Sequence, residues 1–349
     1  MEGLSVEALQ ELPTNKIYET FDGLSEEDQQ TYLPIFKQVM EMIPWSDDMN
    51  DTDYQSLPMI KDPEFQQKLF SKREFYSNQL FLNTVTDDSC NLEFSIKPHQ
   101  IVLKNYMTKE SPYKSLLVYH GVGVGKTCSG ITVAENFRDM YAKKGKRILI
   151  LCSKNIQIGW KQTIYNPERG SEQCTGDTFT ESGATTKRKI SKLIKQYYEI
   201  MAYQSFSNYV IRMSEKYAKT FPKEQYDLKK QEWIRTYFSD RLLIIDEAHN
   251  IRDDQGSDMR DVVKTIENVV TYSDNMKLIL LTATPMFNRS TEVIWMINMM
   301  LLNDNRPTIN YKDVFTKQGE LKRGGEKLLE EASKGYISYL RGENPITFP

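Results

Sequence analysis

Residues 115–130 read SLLVYHGVGVGKTCSG. An apolar run of strand length passes through three glycines into the helix-forming stretch that continues ITVAENFRDMYAKK. A glycine-rich turn from strand to helix lines up backbone N–H groups at a helix N-terminus, where the helix dipole also favours anions. Gly121, Val122, Gly123, Val124 and Gly125 make that turn, Lys126 is placed to reach β- and γ-phosphates, and Thr127 brings a hydroxyl suited to Mg2+. The full pattern G-x-x-x-x-G-K-[ST] fails at its first position, where His120 stands, while the G-x-G-K-T core is intact. The competing explanation, a glycine turn with an incidental lysine, is disfavoured by the strand-to-helix context.

Outward from this loop, four more short apolar runs alternate with polar helical stretches: RILILC (147–152), EIMAY (199–203), RLLIID (241–246) and KLILLT (277–282). Buried strands alternating with helices predict an α/β fold, a parallel sheet with helices on both faces. The run LLIIDEAH (242–249) delivers Asp246 and Glu247 at a strand's C-terminal edge, where open parallel sheets bind ligands. Asp246 is expected to hold Mg2+ and Glu247 to orient and deprotonate an attacking water. Phosphate and metal groups are thus expected on adjacent strand ends. In LLTATP (280–285), the hydroxyls of Thr282 and Thr284 are placed to link the carboxylate strand to the outer surface, and Pro285 ends the strand. His99, His120 and His249 all fall inside these motifs, which leaves no separate histidine metal site or triad. The run MINMMLL (296–302) has helical spacing and reads as core.

Composition bounds the rest. The 349 residues are 39% hydrophobic and 27% charged, which supports a packed core and excludes wholesale disorder. No apolar run reaches the ~18 residues of a membrane span, so no membrane partner is expected. The acidic start MEGLSVEALQELP lacks a signal-peptide pattern and predicts a chain that is not secreted. Cys90, Cys128, Cys152 and Cys174 are too dispersed for a zinc pair or a dense disulfide scaffold, so buried thiols in a reducing compartment are expected. Residues 1–90 carry 6 Lys+Arg against 18 Asp+Glu, a net −12, and the remainder carries a net +9. That asymmetry is compatible with nucleic-acid binding by the larger part, although ordinary surface charge gives the same balance. Basic stretches at 187–195 and about 207–238 are open to the same two explanations.

Three segments follow: an acidic, mainly helical N-terminal extension (1–90, with helices around Glu26–Met42 and Pro63–Leu80), the α/β domain (91–303), and a connector (304–349).

GxGKT, DEAH and TATP in this order and spacing resemble the first RecA-like lobe of superfamily 2 helicases and translocases, over about residues 94–303. The resemblance implies a RecA-like P-loop NTPase domain using ATP and Mg2+, with DNA or RNA as partner. KPHQ (97–100) is similar to the segment whose glutamine, here Gln100, recognises adenine. LILCSKNIQIGWKQ (149–162) resembles the motif that holds a nucleic-acid backbone, which implies contacts by Ser153, Lys154 and Asn155. MAYQSF (201–206) resembles the segment that follows it and adds Ser205. By the same resemblance His249 couples nucleotide state to the Thr282–Thr284 strand, and TATPMFNRS puts Asn288 where chromatin-remodeller ATPases carry an asparagine.

VYHGVGVGKTCS, DPEFQQKLFSKREF (62–75) and YISYLRGENPITFP (336–349) look like DEAH ATPases of poxviruses, asfarviruses and giant viruses. That group includes the ATPase subunit of the viral early transcription factor and the viral nucleoside triphosphatase I that acts in termination. The likeness implies a role in viral transcription, a viral RNA polymerase or second transcription-factor subunit as partner, and a place in the virion or the host cytoplasm. Family members carry a second RecA-like lobe with a Q-x-x-G-R-x-x-R motif. No such motif follows Pro285, and Arg289, Arg306, Arg323 and Arg341 stand in unrelated contexts. Full turnover is therefore expected to need a second lobe. The alternatives are a single-lobe module that binds nucleotide and nucleic acid without useful turnover, and an unrelated nucleotidase on the same fold, against which TATP and KPHQ argue.

Overall fold

The computed structural model describes residues 9, 20, 24–42, 57–78, 94–251, 257–284 and 290–340. Pro285, Asn288, Arg289 and the closing stretch 341–349 lie outside the described residues, as does the end of the expected Pro63–Leu80 helix. Contacts group the chain into two compact units, residues 1–56 with 81–84 and residues 57–80 with 85–349.

The smaller unit contains helix α1 (Glu26–Met42), the span expected from the sequence. Residues 57–80, read from the sequence as part of the acidic extension, belong to the larger unit. They form two short helices, Phe65–Phe70 and Arg73–Tyr76, where the sequence suggests a single one around Pro63–Leu80. Tyr113 donates to the Pro58 carbonyl at 2.7 Å and Lys334 to that of Asp62 at 2.7 Å, which fastens this stretch to its unit.

The larger unit is built on six strands: β1 (Ser115–His120), β2 (Ile148–Cys152), β3 (Tyr198–Ala202), β4 (Leu242–Ile245), β5 (Lys277–Thr282) and β6 (Ile337–Leu340). All their pairings are parallel, in the order β3-β2-β4-β5-β1-β6. Alternate side chains of a strand point to opposite faces, and the core divides accordingly. Leu117, Leu149, Leu151, Leu243, Ile245, Leu278 and Leu280 join one hydrophobic cluster. Leu116, Val118, Ile150, Leu242, Ile244, Ile279 and Leu281 join the other. Burial on both faces explains why these strands read as unbroken apolar runs.

Helices α2 (Pro98–Tyr106), α3 (Lys126–Glu135), α4 (Gln157–Ile164) and α5 (Lys187–Tyr197) place their buried residues in the second cluster. Helices α6 (Tyr203–Ala218), α7 (Tyr226–Phe238), α8 (Ser257–Tyr272) and α9 (Thr291–Asn303) cover the first. Met296, Met299 and Met300 on α9 are fully buried there, as the helical spacing of MINMMLL requires. Sheet order and the helices on both faces give the α/β, RecA-like architecture expected from the sequence.

Three expectations change. The phosphate-loop strand β1 and the carboxylate strand β4 are not neighbours, because β5 pairs with both. The order of motifs along the chain does not reveal which strand inserts between two others, and here the insertion brings Thr282 between the two motif ends. Within the stretch read as a connector, β6 pairs with β1, Leu117–His120 against Ile337–Leu340, so residues 337–340 are part of the sheet. The cysteines are not all free thiols. Cys128 and Cys174, 46 residues apart, are joined in a disulfide, and Cys152 is a buried free thiol. Packing of α3 against the loop before α5 makes that pair, and linear spacing carries no sign of it. Among the described residues no helix is long and apolar enough to cross a membrane.

Candidate functional site

The loop between β1 and α3 turns through Gly123 at φ 82° and Gly125 at φ 85°, left-handed values that favour glycine. A Cβ on Gly125 would stand 2.8 Å from Gln100 Nε2 and would displace the end of that side chain. Gln100 donates to the Gly125 carbonyl at 3.2 Å and accepts from the Lys97 backbone at 2.9 Å. His99 Nε2 donates to the Val124 carbonyl at 3.2 Å, so α2 braces the loop from behind through two side chains. Lys126 Nζ folds back onto the Gly121 carbonyl at 3.1 Å. Among the described residues, nothing accepts from the backbone N–H groups of Val122, Gly123, Val124, Gly125, Lys126 and Thr127. Six successive unpaired donors at a helix N-terminus form an anion cradle. Val122 at its tip is 75% exposed.

His120, which replaces the first consensus glycine, is 1% exposed and lies 2.9 Å from Ser338 Oγ on β6. Burial, with the neighbouring His99 ring and the Lys126 charge adding to it, depresses its pKa to about 3. The imidazole is therefore neutral in the folded protein over the ordinary pH range. An unfolded histidine titrates near 6.5, so below that pH the unfolded chain takes up a proton that the folded one refuses. Stability contributed by neutral His120 is complete above about pH 6.5 and is lost as the pH falls towards about 3. His120→Asn is expected to flatten the decline of the thermal unfolding midpoint between about pH 6.5 and pH 4. Superimposable wild-type and variant profiles would contradict the assignment.

At the end of β4, Asp246 is 5% exposed and held from three sides. Trp160 Nε1 donates to Oδ2 at 2.7 Å, the Glu247 backbone N–H donates to Oδ1 at 2.9 Å, and the Tyr203 hydroxyl donates to its carbonyl. Burial raises the carboxyl pKa above its usual value, against the lowering effects of the Trp160 hydrogen bond and the Lys126 charge. The Lys126 charge is near enough to act on the Asp246 carboxyl. Glu247 follows with φ 48°, a left-handed conformation rare for a residue with a side chain. Its Oε2 is buried without a hydrogen-bond partner and lies 3.3 Å from His249 Nδ1. A buried carboxylate oxygen without a hydrogen-bond partner and a run of unpaired N–H donors are groups suited to a water or cation and to a phosphate.

His249 Nδ1 lies 2.9 Å from Thr282 Oγ1, which accepts from the Thr284 backbone at 3.1 Å. The DEAH segment thereby touches the end of β5. Thr282 is fully buried and Thr284 exposed. Lys154 and Asn155, just past β2, and Ser205, just past the neighbouring β3, are exposed near the same sheet edge, with Ser153 half-buried. The five basic residues of α5 are exposed and form no ion pair among the described residues. Sequence reasoning passes over Trp160 and Tyr203, which surround Asp246. The tryptophan in IQIGWKQ carries a signal only in that a buried indole N–H needs an acceptor.

The family described as Type III restriction enzyme, res subunit, matches residues 93–287, more than half of the chain. The chain belongs to this family. A candidate ATP-dependent RNA helicase of Acanthamoeba polyphaga mimivirus, L377, is 33% identical over 83% of this chain and 27% of its own length. The candidate helicase 009L of Frog virus 3 is 26% identical over 71% of this chain and 24% of its own length. Among solved structures, the Sulfolobus solfataricus SWI2/SNF2 ATPase core in complex with dsDNA gives a TM-score of 0.43 at 16% identity, over 72% of this chain and 46% of that one. The chain thus spans about a quarter of the length of these two viral relatives. Membership of this family and the helicase relatives agree with the superfamily 2 resemblance carried by the motifs.

Proposed function

We propose that the chain is the ATP-binding lobe of an ATP-dependent nucleic-acid helicase or translocase that hydrolyses ATP to ADP and phosphate. The observation that carries this reading is the run of six unpaired N–H donors at residues 122–127, together with the Lys126 charge, which acts on the buried Asp246 carboxyl. The cradle binds the phosphates, Lys126 neutralises charge on the β- and γ-phosphates, and Gln100 stands at the adenine side. Thr127 and Asp246 are the residues that would hold Mg2+, whose charge offsets that building up on the phosphates. Glu247 orients the attacking water and accepts its proton. His249 carries the state of the site to Thr282 across a 2.9 Å contact, and Thr282 passes it to the Thr284 backbone.

Nucleic acid lies along the sheet edge at Ser153, Lys154, Asn155 and Ser205, held mainly by its phosphates. Lys154→Ala is expected to weaken binding about equally across sequences and to reduce the salt slope by about one. Titration of labelled single- and double-stranded oligonucleotides at several salt concentrations checks this. Salt-independent, sequence-selective affinity would show that base readout lies elsewhere.

Within this reading, viral transcription is the setting, with a viral RNA polymerase or a second transcription-factor subunit as partner and the virion or host cytoplasm as location. The flanking phrases that look like the viral early transcription factor ATPase and nucleoside triphosphatase I support it, as do relatives from large DNA viruses. A second RecA-like lobe supplies the arginine finger, a contribution of ~10³–10⁵ in turnover in related phosphoryl-transfer enzymes. ATPase assays with and without DNA and RNA, on this chain and on a form extended by such a lobe, test the proposal. Turnover stimulated by nucleic acid in the extended form supports it, and absence of ATP hydrolysis there refutes it.

A further inference from the structure

Trp160 is 1% exposed and sits where three parts of the site meet. It belongs to α4, the helix that follows Ser153–Asn155. Its indole N–H donates to Asp246 Oδ2 at 2.7 Å. Its ring edge closes on the phosphate-loop helix, since a Cβ on Gly130 would stand 3.3 Å from Trp160 Cη2. Phenylalanine would fill much of the same apolar space, so the indole's distinctive contribution is the N–H aimed at a carboxylate.

Asp246 has two oxygens, and each accepts one hydrogen bond, Oδ2 from Trp160 and Oδ1 from the Glu247 backbone. The backbone bond fixes one end of the carboxylate. The indole bond fixes the other and so sets the plane of the group, leaving the remaining lone pairs pointing in one direction. A hydrogen bond to a charged acceptor is stronger than a neutral one and holds its geometry more firmly. Burial of the pair keeps water from replacing the indole.

We infer that Trp160 is a positioning residue that orients the Asp246 carboxylate for a divalent cation bound with nucleotide. The inference rests on the reading of Asp246 as the metal carboxylate. A residue that acted only by filling space would contribute equally with and without the cation, whereas a residue that aims the carboxylate contributes when the cation is present.

The test uses the full chain and a non-hydrolysable ATP analogue, with affinity measured by calorimetry in EDTA and in Mg2+. In wild type, Mg2+ tightens binding. Trp160→Phe is expected to leave the EDTA affinity unchanged and to reduce the Mg2+ enhancement about tenfold. Asp246→Asn removes most of the enhancement, and adding Trp160→Phe to it produces no further loss, because both changes act through one group. Trp160→His, which retains a ring N–H, recovers part of the enhancement. An unchanged enhancement in Trp160→Phe overturns the proposal, and so does an equal loss in EDTA and Mg2+, which is the signature of packing. Failure of wild type to bind the analogue at all overturns the nucleotide reading itself. Should Trp160→Phe not fold, Trp160→His carries the test alone: an EDTA affinity equal to wild type with a partly reduced Mg2+ enhancement supports the proposal, and an equal loss in EDTA and Mg2+ overturns it.

Discussion

Lys126→Ala is expected to take nucleotide binding below detection. The lysine follows the cradle directly, and its ammonium rests on the Gly121 carbonyl, at the mouth of six unpaired N–H donors. Truncating one partner of a desolvated charge pair costs about 2–5 kcal/mol, which is roughly a 30- to 3,000-fold loss of affinity. The alanine leaves the helix intact, since alanine is the best helix former, so the unfolding midpoint without ligand is expected to stay close to wild type. Calorimetry with ATP and Mg2+ makes the measurement. Unchanged affinity would sink the assignment of residues 121–127 as the phosphate site.

Glu247→Gln is expected to behave in the opposite way, with binding retained and hydrolysis lost in the two-lobed enzyme. Glutamine keeps the size of the side chain and its capacity to orient a water, but it cannot take the proton. Loss of a general base costs about 10²–10⁴ in rate. The buried Oε2, without a hydrogen bond and 3.3 Å from His249 Nδ1, and the left-handed backbone at φ 48° mark this side chain as held for something other than stability. Single-turnover hydrolysis beside equilibrium binding separates the two effects. Hydrolysis at the wild-type rate would show that Glu247 is not the base.

Lys126 and Glu247 are both legible in the amino-acid sequence alone, as are the strands that carry their motifs. SLLVYH and KLILLT match the observed strands β1 and β5 to the residue, because both faces of the sheet are buried and the strands read as uninterrupted apolar runs. The Gly-rich loop is legible because few residues other than glycine tolerate φ near +85° beside a packed glutamine. The sequence also points to the pairing of His249 with Thr282, through its likeness to a known family.

What stays hidden depends on sheet order and long-range packing. That β5 stands between β1 and β4 follows from how crossover connections stack, which short apolar runs do not encode. Strand β6, with its alternately exposed residues, lies at the sheet edge and lacks the apolar signature of the buried strands. The Cys128–Cys174 pair and the Trp160–Asp246 hydrogen bond join residues 46 and 86 positions apart. Such partners become visible only when helices are laid on the sheet. Trp160 in particular reads as an ordinary apolar residue of an amphipathic helix until its N–H is seen to end on a carboxylate.

In the proposed function, the loop after β1 and the carboxylates after β4 form one nucleotide site. Hydrogen–deuterium exchange with and without a non-hydrolysable ATP analogue and Mg2+ tests it at the atoms that matter. The backbone N–H groups of residues 122–127 have no acceptor among the described residues, and phosphate oxygens would provide them. Ligand-dependent slowing of exchange is expected in peptides covering 121–128 and 246–250, with the faces of α5 and α7 unchanged. Slowing confined to other segments, or exchange at 121–128 indifferent to saturating ligand, would contradict it.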